Sequence, residues 1–160
     1  MKNTILLKKL IASVATITLC IGMLVGCGEV TLPTAEALTV DENGTTSLGI
    51  GVGSSYEDFI REYGGMRVQI LNDDGSLDPI ELPELKEGEE VVASDMTLMV
   101  AGFFINGESV ATEDIAEVDL QSKDYLKENN VIYRYITFKI IDNKISEIGG
   151  DFLDYNTELY

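Results

Sequence analysis

Tyr56, Phe59, Ile60 and Tyr63 fall at positions i, i+3, i+4 and i+7, so a helix over this stretch carries one continuous apolar stripe. Glu57, Asp58, Arg61 and Glu62 occupy the opposite face, as a surface helix requires. Ser54 with Glu57 makes a Ser-x-x-Glu capping box at the start, and Gly64-Gly65 stops the helix. Ser47 to Val52, apolar and glycine-rich, reads as a short strand leading into it. Met66 to Leu71 predicts a strand, Asn72-Asp73-Asp74-Gly75 a turn, and Leu77 to Leu82 a second run that Pro79 and Pro83 keep at a sheet edge or outside the sheet altogether. Val91 to Ile105 holds the most apolar segment after the N-terminal region and predicts a central strand. Asn106-Gly107 then supplies the residue pair that a two-residue type I′ hairpin prefers. Between Thr112 and Asn130 the apolar positions are sparse; one or two short helices are expected, capped at Thr112 and Ser122, with Tyr125 and Leu126 facing inward. Val131 to Ile141 alternates: Ile132, Ile136, Phe138 and Ile140 share one face, Tyr133, Tyr135, Thr137 and Lys139 the other. Asp142-Asn143 turns the chain into Lys144 to Ile148. A strict two-residue turn sets Phe138 against Glu147, so a bulge or longer turn is expected that returns Ile148 to the core face.

These elements predict an α+β class: a small single domain with an antiparallel sheet and one or two short helices packed on one face. The domain is expected over residues 47–160. Ahead of it, Lys2, Lys8 and Lys9 precede an apolar run from Leu10 to Val25, which reads as a signal peptide over residues 1–26. The run ends in Leu24-Val25-Gly26-Cys27, which resembles the lipobox of bacterial lipoproteins. That resemblance implies cleavage before Cys27, diacylglycerol on the Cys27 sulfur and, often, acylation of the new amine. It places the protein at the cell membrane on its extracytoplasmic face, held by lipid. An uncleaved anchor fits less well, because no stop-transfer charge follows and Gly28-Glu29 is the wrong flank. Residues 27–46 mix Thr, Ala, acids and a single proline without a period, and read as lipid anchor and flexible tether.

Charge narrows the choice of partners. Residues 1–26 hold three of the 11 basic residues and none of the 28 acids, leaving a mature chain of eight bases, 28 acids and a formal charge of −20. Such a surface repels nucleic acid and other polyanions and admits basic or neutral protein surfaces and divalent ions. Solubility alone also accounts for it. The chain has no histidine, so Ser-His or Cys-His activation and imidazole acid–base chemistry have no residues to work with. Cys20 leaves with the signal peptide and Cys27 is expected to carry lipid, so no thiol remains for a disulfide in an oxidising compartment. Any catalysis falls to carboxylates, lysine or tyrosine.

Three patterns invite a chemical reading. Gly49-Ile50-Gly51-Val52-Gly53-Ser54 lies before a helix, where glycine loops cradle phosphates, but it lacks the Lys-Ser/Thr of a P-loop and fits a tight packing turn better. Asn72 to Asp78 clusters oxygen ligands yet misses the calcium-loop spacing, since the sixth position from Asn72 is Leu77 and the twelfth Pro83. No metal or cofactor is expected from either. Tyr133 and Tyr135, with Lys139 on the same face, form a candidate partner surface if that face of the sheet is uncovered.

Leu48 to Gly64, followed far downstream by Tyr135-Ile136-Thr137-Phe138-Lys139-Ile140-Ile141-Asp142-Asn143-Lys144-Ile145, looks like the pattern of small envelope domains of the BamE/SmpA-like and β-lactamase-inhibitor-like group. The resemblance implies a helix packed on an antiparallel sheet. About 70 residues separate the two parts here, a departure from the pattern, so the group's role in outer-membrane assembly is not implied. The functional expectation is an exported, lipid-anchored protein acting without catalysis as a binding or accessory module. A carboxylate-dependent envelope hydrolase and an inhibitor or immunity-type protein are the alternatives.

Overall fold

The computed structural model describes residues 31–111 and 123–154. Its central strand is the long apolar run foreseen above. β1 (Val68–Leu71), β2 (Leu77–Pro79), β3 (Met96–Ile105), β4 (Glu108–Val110), β5 (Val131–Ile141) and β6 (Lys144–Asp154) form one antiparallel sheet. The order is β2-β1-β3-β5-β6. β5 pairs with β3 along its whole length, from Met96↔Ile140 to Ile105↔Val131. β1 and β4 share the other side of β3, β1 at Leu98 to Val100 and β4 at Phe103 to Ile105. Of the two placements left open for Leu77 to Leu82, β2 takes the sheet edge, over Leu77–Pro79 alone. Asn106 (φ 52°) and Gly107 (φ 85°) make the β3–β4 turn with both residues at positive φ, the reason for the Asn-Gly pair.

Helix α1 (Tyr56–Tyr63) lays its stripe on one face of the sheet, and all four stripe residues are buried. Phe59 meets Phe138 edge-on with ring centroids 4.9 Å apart, and Tyr63 meets the same ring at 5.0 Å. Around them close Leu98, Val100, Phe104, Ile136 and Ile140, the inward positions of β3 and β5. The bulge expected near the β5–β6 turn is present. Ile140 pairs with Ile145 and Lys139 with Glu147, leaving Ser146 extra, so that Phe138 faces Ile148. The α+β class and the antiparallel sheet are thus as predicted. Packing on the sheet is two-sided, however: a second apolar cluster of Leu77, Met99, Phe103, Val131 and Tyr133 lies on the other face, joined by Tyr125 of α2 (Lys123–Glu128). The expected caps at Thr112 and Ser122 lie outside the described residues.

Three local expectations are corrected. The cap of α1 is Ser55, not Ser54: the Ser55 hydroxyl accepts from the Asp58 N–H at 3.0 Å, and the Asp58 carboxylate accepts from the Ser55 N–H at 3.1 Å. Ser54 is occupied elsewhere, its carbonyl accepting the Ile145 N–H at 2.8 Å while the Gly53 N–H donates to the Ile145 carbonyl at 2.8 Å. Ser47 to Val52 is a chain of turns rather than a strand. Gly49 takes φ 82°, and the Thr46 N–H and hydroxyl bond the Ile50 carbonyl and N–H, which buries Ile50.

The third correction concerns the tether. From Thr31 onward the segment expected to be flexible is packed on the domain. The Thr31 N–H donates to the Gly65 carbonyl at 2.9 Å, and a 3₁₀ turn at Glu36–Leu38 buries Ala37 and Leu38. The buried Tyr63 hydroxyl donates to the Ala37 carbonyl at 3.1 Å, and the Ser109 hydroxyl to the Pro33 carbonyl at 2.6 Å. Gly102 makes room for this layer, since a Cβ there would stand 3.1 Å from the Pro33 ring and 3.4 Å from Leu38. The folded unit therefore begins by Thr31 and not at residue 47.

The cap yields a first prediction. The Asp58 carboxyl is held below the usual aspartate range, first by hydrogen bonds from the Ser55 hydroxyl and N–H and then by the Arg61 guanidinium. A carboxylate depressed in the folded state contributes stability at neutral pH that is lost as pH falls through its folded value. Ser55→Ala should cost about 1 kcal/mol at pH 7, with the deficit shrinking below pH 4, as read by thermal unfolding between pH 7 and 3. A deficit that holds constant to pH 3 contradicts the capping account.

Candidate functional site

β1, β3 and β5 end together at the side of the sheet away from the Asn106-Gly107 turn, and the segments leaving them enclose an open groove of about 360 Å³. Asn72 and Asp73 come from the β1–β2 turn, Asp95 and Thr97 from the start of β3, and Lys139 and Ile141 from the end of β5. The pairing of Ile70 with Leu98 and of Leu98 with Phe138 brings these three distant segments to one place.

The groove's polar groups divide into structural and available ones. Asn72 donates through Nδ2 to the Ser76 hydroxyl at 3.0 Å and to Asp78 Oδ2 at 2.8 Å. Asp74 Oδ1 accepts from the Ser76 N–H at 2.9 Å and hydroxyl at 2.6 Å. Gly75, at φ 83°, closes the turn by donating its N–H to the Asn72 carbonyl at 2.9 Å. Of the side chains that suggested calcium, Asn72, Asp74, Ser76 and Asp78 are thus engaged in holding a turn. Among the described residues no group of three or more His, Cys, Asp or Glu is placed to hold a metal. Asp95 Oδ1 accepts the Asp142 N–H at 3.2 Å, fixing the start of β3 to the β5–β6 turn. Asp73 and Lys139 are exposed, and Ile141 beside them keeps 37% of its surface in water. The arrangement offers charged and apolar groups to a second surface. Among the described residues, and away from the groove, the Asp41 carboxyl is held below the usual range by backbone N–H groups led by that of Thr45, as Asp58 is by its cap.

The tyrosine surface is corrected. Tyr133 is 2% exposed, its ring 4.7 Å from Phe103 and 6.0 Å from Tyr135, inside the second cluster. Tyr135 is half-buried, paired across strands with Asp151, and its phenol is pushed up by burial and then by the Asp151 charge. The two tyrosines share a face, as alternation requires, but that face is covered at Tyr133 and half-covered at Tyr135. Of the three residues assigned to it, Lys139 alone is exposed, and it lines the groove. Asp95 and Ile141 carried no local signal in the sequence, because each belongs to the groove only through strand register. Cys27 lies outside the described residues.

The glycine loop is accounted for by its own hydrogen bonds. The Gly49 N–H donates to the Thr46 carbonyl, Ile50 to the Thr46 hydroxyl, Gly51 to the Ser54 hydroxyl, Gly53 to the Ile145 carbonyl and Ser54 to the Gly51 carbonyl. A phosphate cradle needs such amides directed at the ligand. Here they close turns and tie the loop to β6.

No protein-family model, no curated protein and no solved structure matches this chain. Among the described residues no helix is long and apolar enough to cross a membrane.

Proposed function

We propose that this is an exported bacterial lipoprotein, held on the extracytoplasmic face of the membrane by lipid on Cys27, whose domain acts as a non-catalytic binding or accessory module. The observation that carries the binding role is the groove, where exposed Lys139 and Ile141 stand on the end of well-packed β5 and exposed Asp73 on the tight β1–β2 turn beside it. Rigid strands present such groups at low entropic cost, which favours recognition. The partner class that fits is a basic or neutral protein surface of the envelope, since the mature chain's formal −20 disfavours polyanions. Confinement by lipid raises the local concentration of neighbouring membrane proteins, so that modest affinity suffices.

A photo-crosslinking residue at Ile141 in intact cells tests this, with one at Glu57, on the charged outer face of α1, as the control. The expected result is a discrete protein adduct at Ile141 and none at Glu57. Asp73→Lys should then weaken binding of that protein about tenfold, a loss of about 1.4 kcal/mol, and added salt should weaken it further. Equal labelling from both positions, or binding indifferent to Asp73→Lys and to salt, contradicts the groove. Turnover of an envelope glycan by the purified domain contradicts the non-catalytic reading.

A further inference from the structure

The packing of the supposed tether bears on how the domain stands on its membrane. Only Gly28, Glu29 and Val30 separate Cys27 from Thr31, the first described residue, whose N–H is already bonded to the Gly65 carbonyl of the domain. Four Cα-to-Cα steps span at most about 14 Å. A flexible tether of some 20 residues would instead average about 25 Å and leave orientation free.

The point of attachment also lies toward one end of the sheet. The Pro33 ring packs at Gly102, and the Pro33 carbonyl accepts from Ser109, which pairs with Phe104. Both contacts are close to the Asn106-Gly107 turn. The groove stands at the other end, where Met96 pairs with Ile140. From Gly102 to Met96 the strand runs six residue steps, about 20 Å at the usual rise. The net acidity of the chain opposes lying flat on anionic headgroups, which limits membrane contact to what the short link enforces.

We infer that the domain is docked directly on the bilayer surface with its Asn106-Gly107 end toward the lipid and its groove directed outward, away from the membrane. This rests on the proposal that Cys27 is lipidated. It identifies the membrane-facing surface as the β3–β4 hairpin end. It also requires a groove partner to approach from the outer side, as a wall-associated protein or a projecting extracytoplasmic domain does.

The test uses the full lipidated protein reconstituted in phosphatidylcholine–phosphatidylglycerol vesicles that carry a nitroxide quencher on the lipid headgroup. One variant is Glu108→Cys and the other Asp73→Cys, each labelled with the same fluorophore; both replace an exposed acid and so alter charge equally. Flotation with the vesicles is measured first. Protein that fails to float overturns the anchor and this placement with it. Given flotation, quenching at position 108 at least twice that at position 73 is expected, and a 15-residue Gly/Ser insertion after Val30 should bring the two toward equality. Equal quenching without the insertion, or stronger quenching at position 73, overturns the orientation while leaving the lipid anchor standing.

Discussion

A chain cut back from Thr31 to Ser47 should be markedly less stable than one beginning at Thr31, and should lose more than the single change Leu38→Ala. Leu38 is 4% exposed and packs in the same cluster as Tyr63, Val100 and Phe104. Emptying such a site to alanine typically costs about 2–5 kcal/mol, a fall in melting temperature of about 10 °C or more for a domain of this size. The truncation removes Leu38 and Ala37 together and uncovers the hollow at Gly102. It also takes the Ala37 carbonyl from the Tyr63 hydroxyl and opens that ring to water. Thermal or urea unfolding of the 31–160 and 47–160 chains makes the comparison. Equal midpoints would mean that the segment decorates the domain without contributing to its fold.

Replacing Tyr133 with alanine should damage stability before it touches binding. Its ring is enclosed by Phe103, Val131 and Met99, and removing a buried aromatic side chain costs about 3–5 kcal/mol. Tyr135→Ala, at a half-buried position, should cost clearly less. The two substitutions are alike in chemistry and adjacent on one face, so their ranking in urea unfolding isolates the effect of coverage. Equal losses, or a Tyr133→Ala protein that melts like the unsubstituted one, contradict the second cluster. If the groove is the partner surface, neither change should act on binding as Asp73→Lys does once the proteins are compared in their folded state.

With no family model, curated protein or solved structure matching the chain, the resemblance to small envelope domains carries no function to it. A helix stripe against an antiparallel sheet is a packing solution open to many sequences, and function follows from the site placed on it. The candidate groove draws Asn72, Asp73, Asp95 and Thr97 from the roughly 70 residues that the resemblance does not cover, and Lys139 and Ile141 from the stretch that it does.

Local pattern was a good guide wherever the deciding interactions lie within one element. The four-residue stripe of α1, the alternation of Val131 to Ile141, the Asn106-Gly107 turn and the bulge beside Ile145 are all found in the fold. The bulge was legible because register has a parity: Ile145 and Ile148 cannot both face the core without an extra residue. The helix cap was legible only to within one position. Ser54 with Glu57 and Ser55 with Asp58 both satisfy the local rule, and the choice between them is made by β6, which draws Ser54 into pairing with Ile145.

The sequence by itself determined the helix, the central strands β3 and β5, their turns and the absence of histidine, because periodicity, turn propensity and composition are properties of neighbouring residues, whereas β6, read as Lys144 to Ile148, runs on to Asp154. It determined which residues of β5 share a face, but not that Tyr133 is covered, since burial depends on Phe103, Met99 and Leu77 arriving from other strands. Nor did it determine that Thr31 to Thr46 belongs to the fold. A segment without a period gives no sign that Gly102, nearly 70 positions away, leaves the hollow into which Pro33 and Leu38 fit. Only the tertiary structure decided these matters, and the groove with them, because each depends on contacts between residues that strand register and packing, and not sequence proximity, bring together.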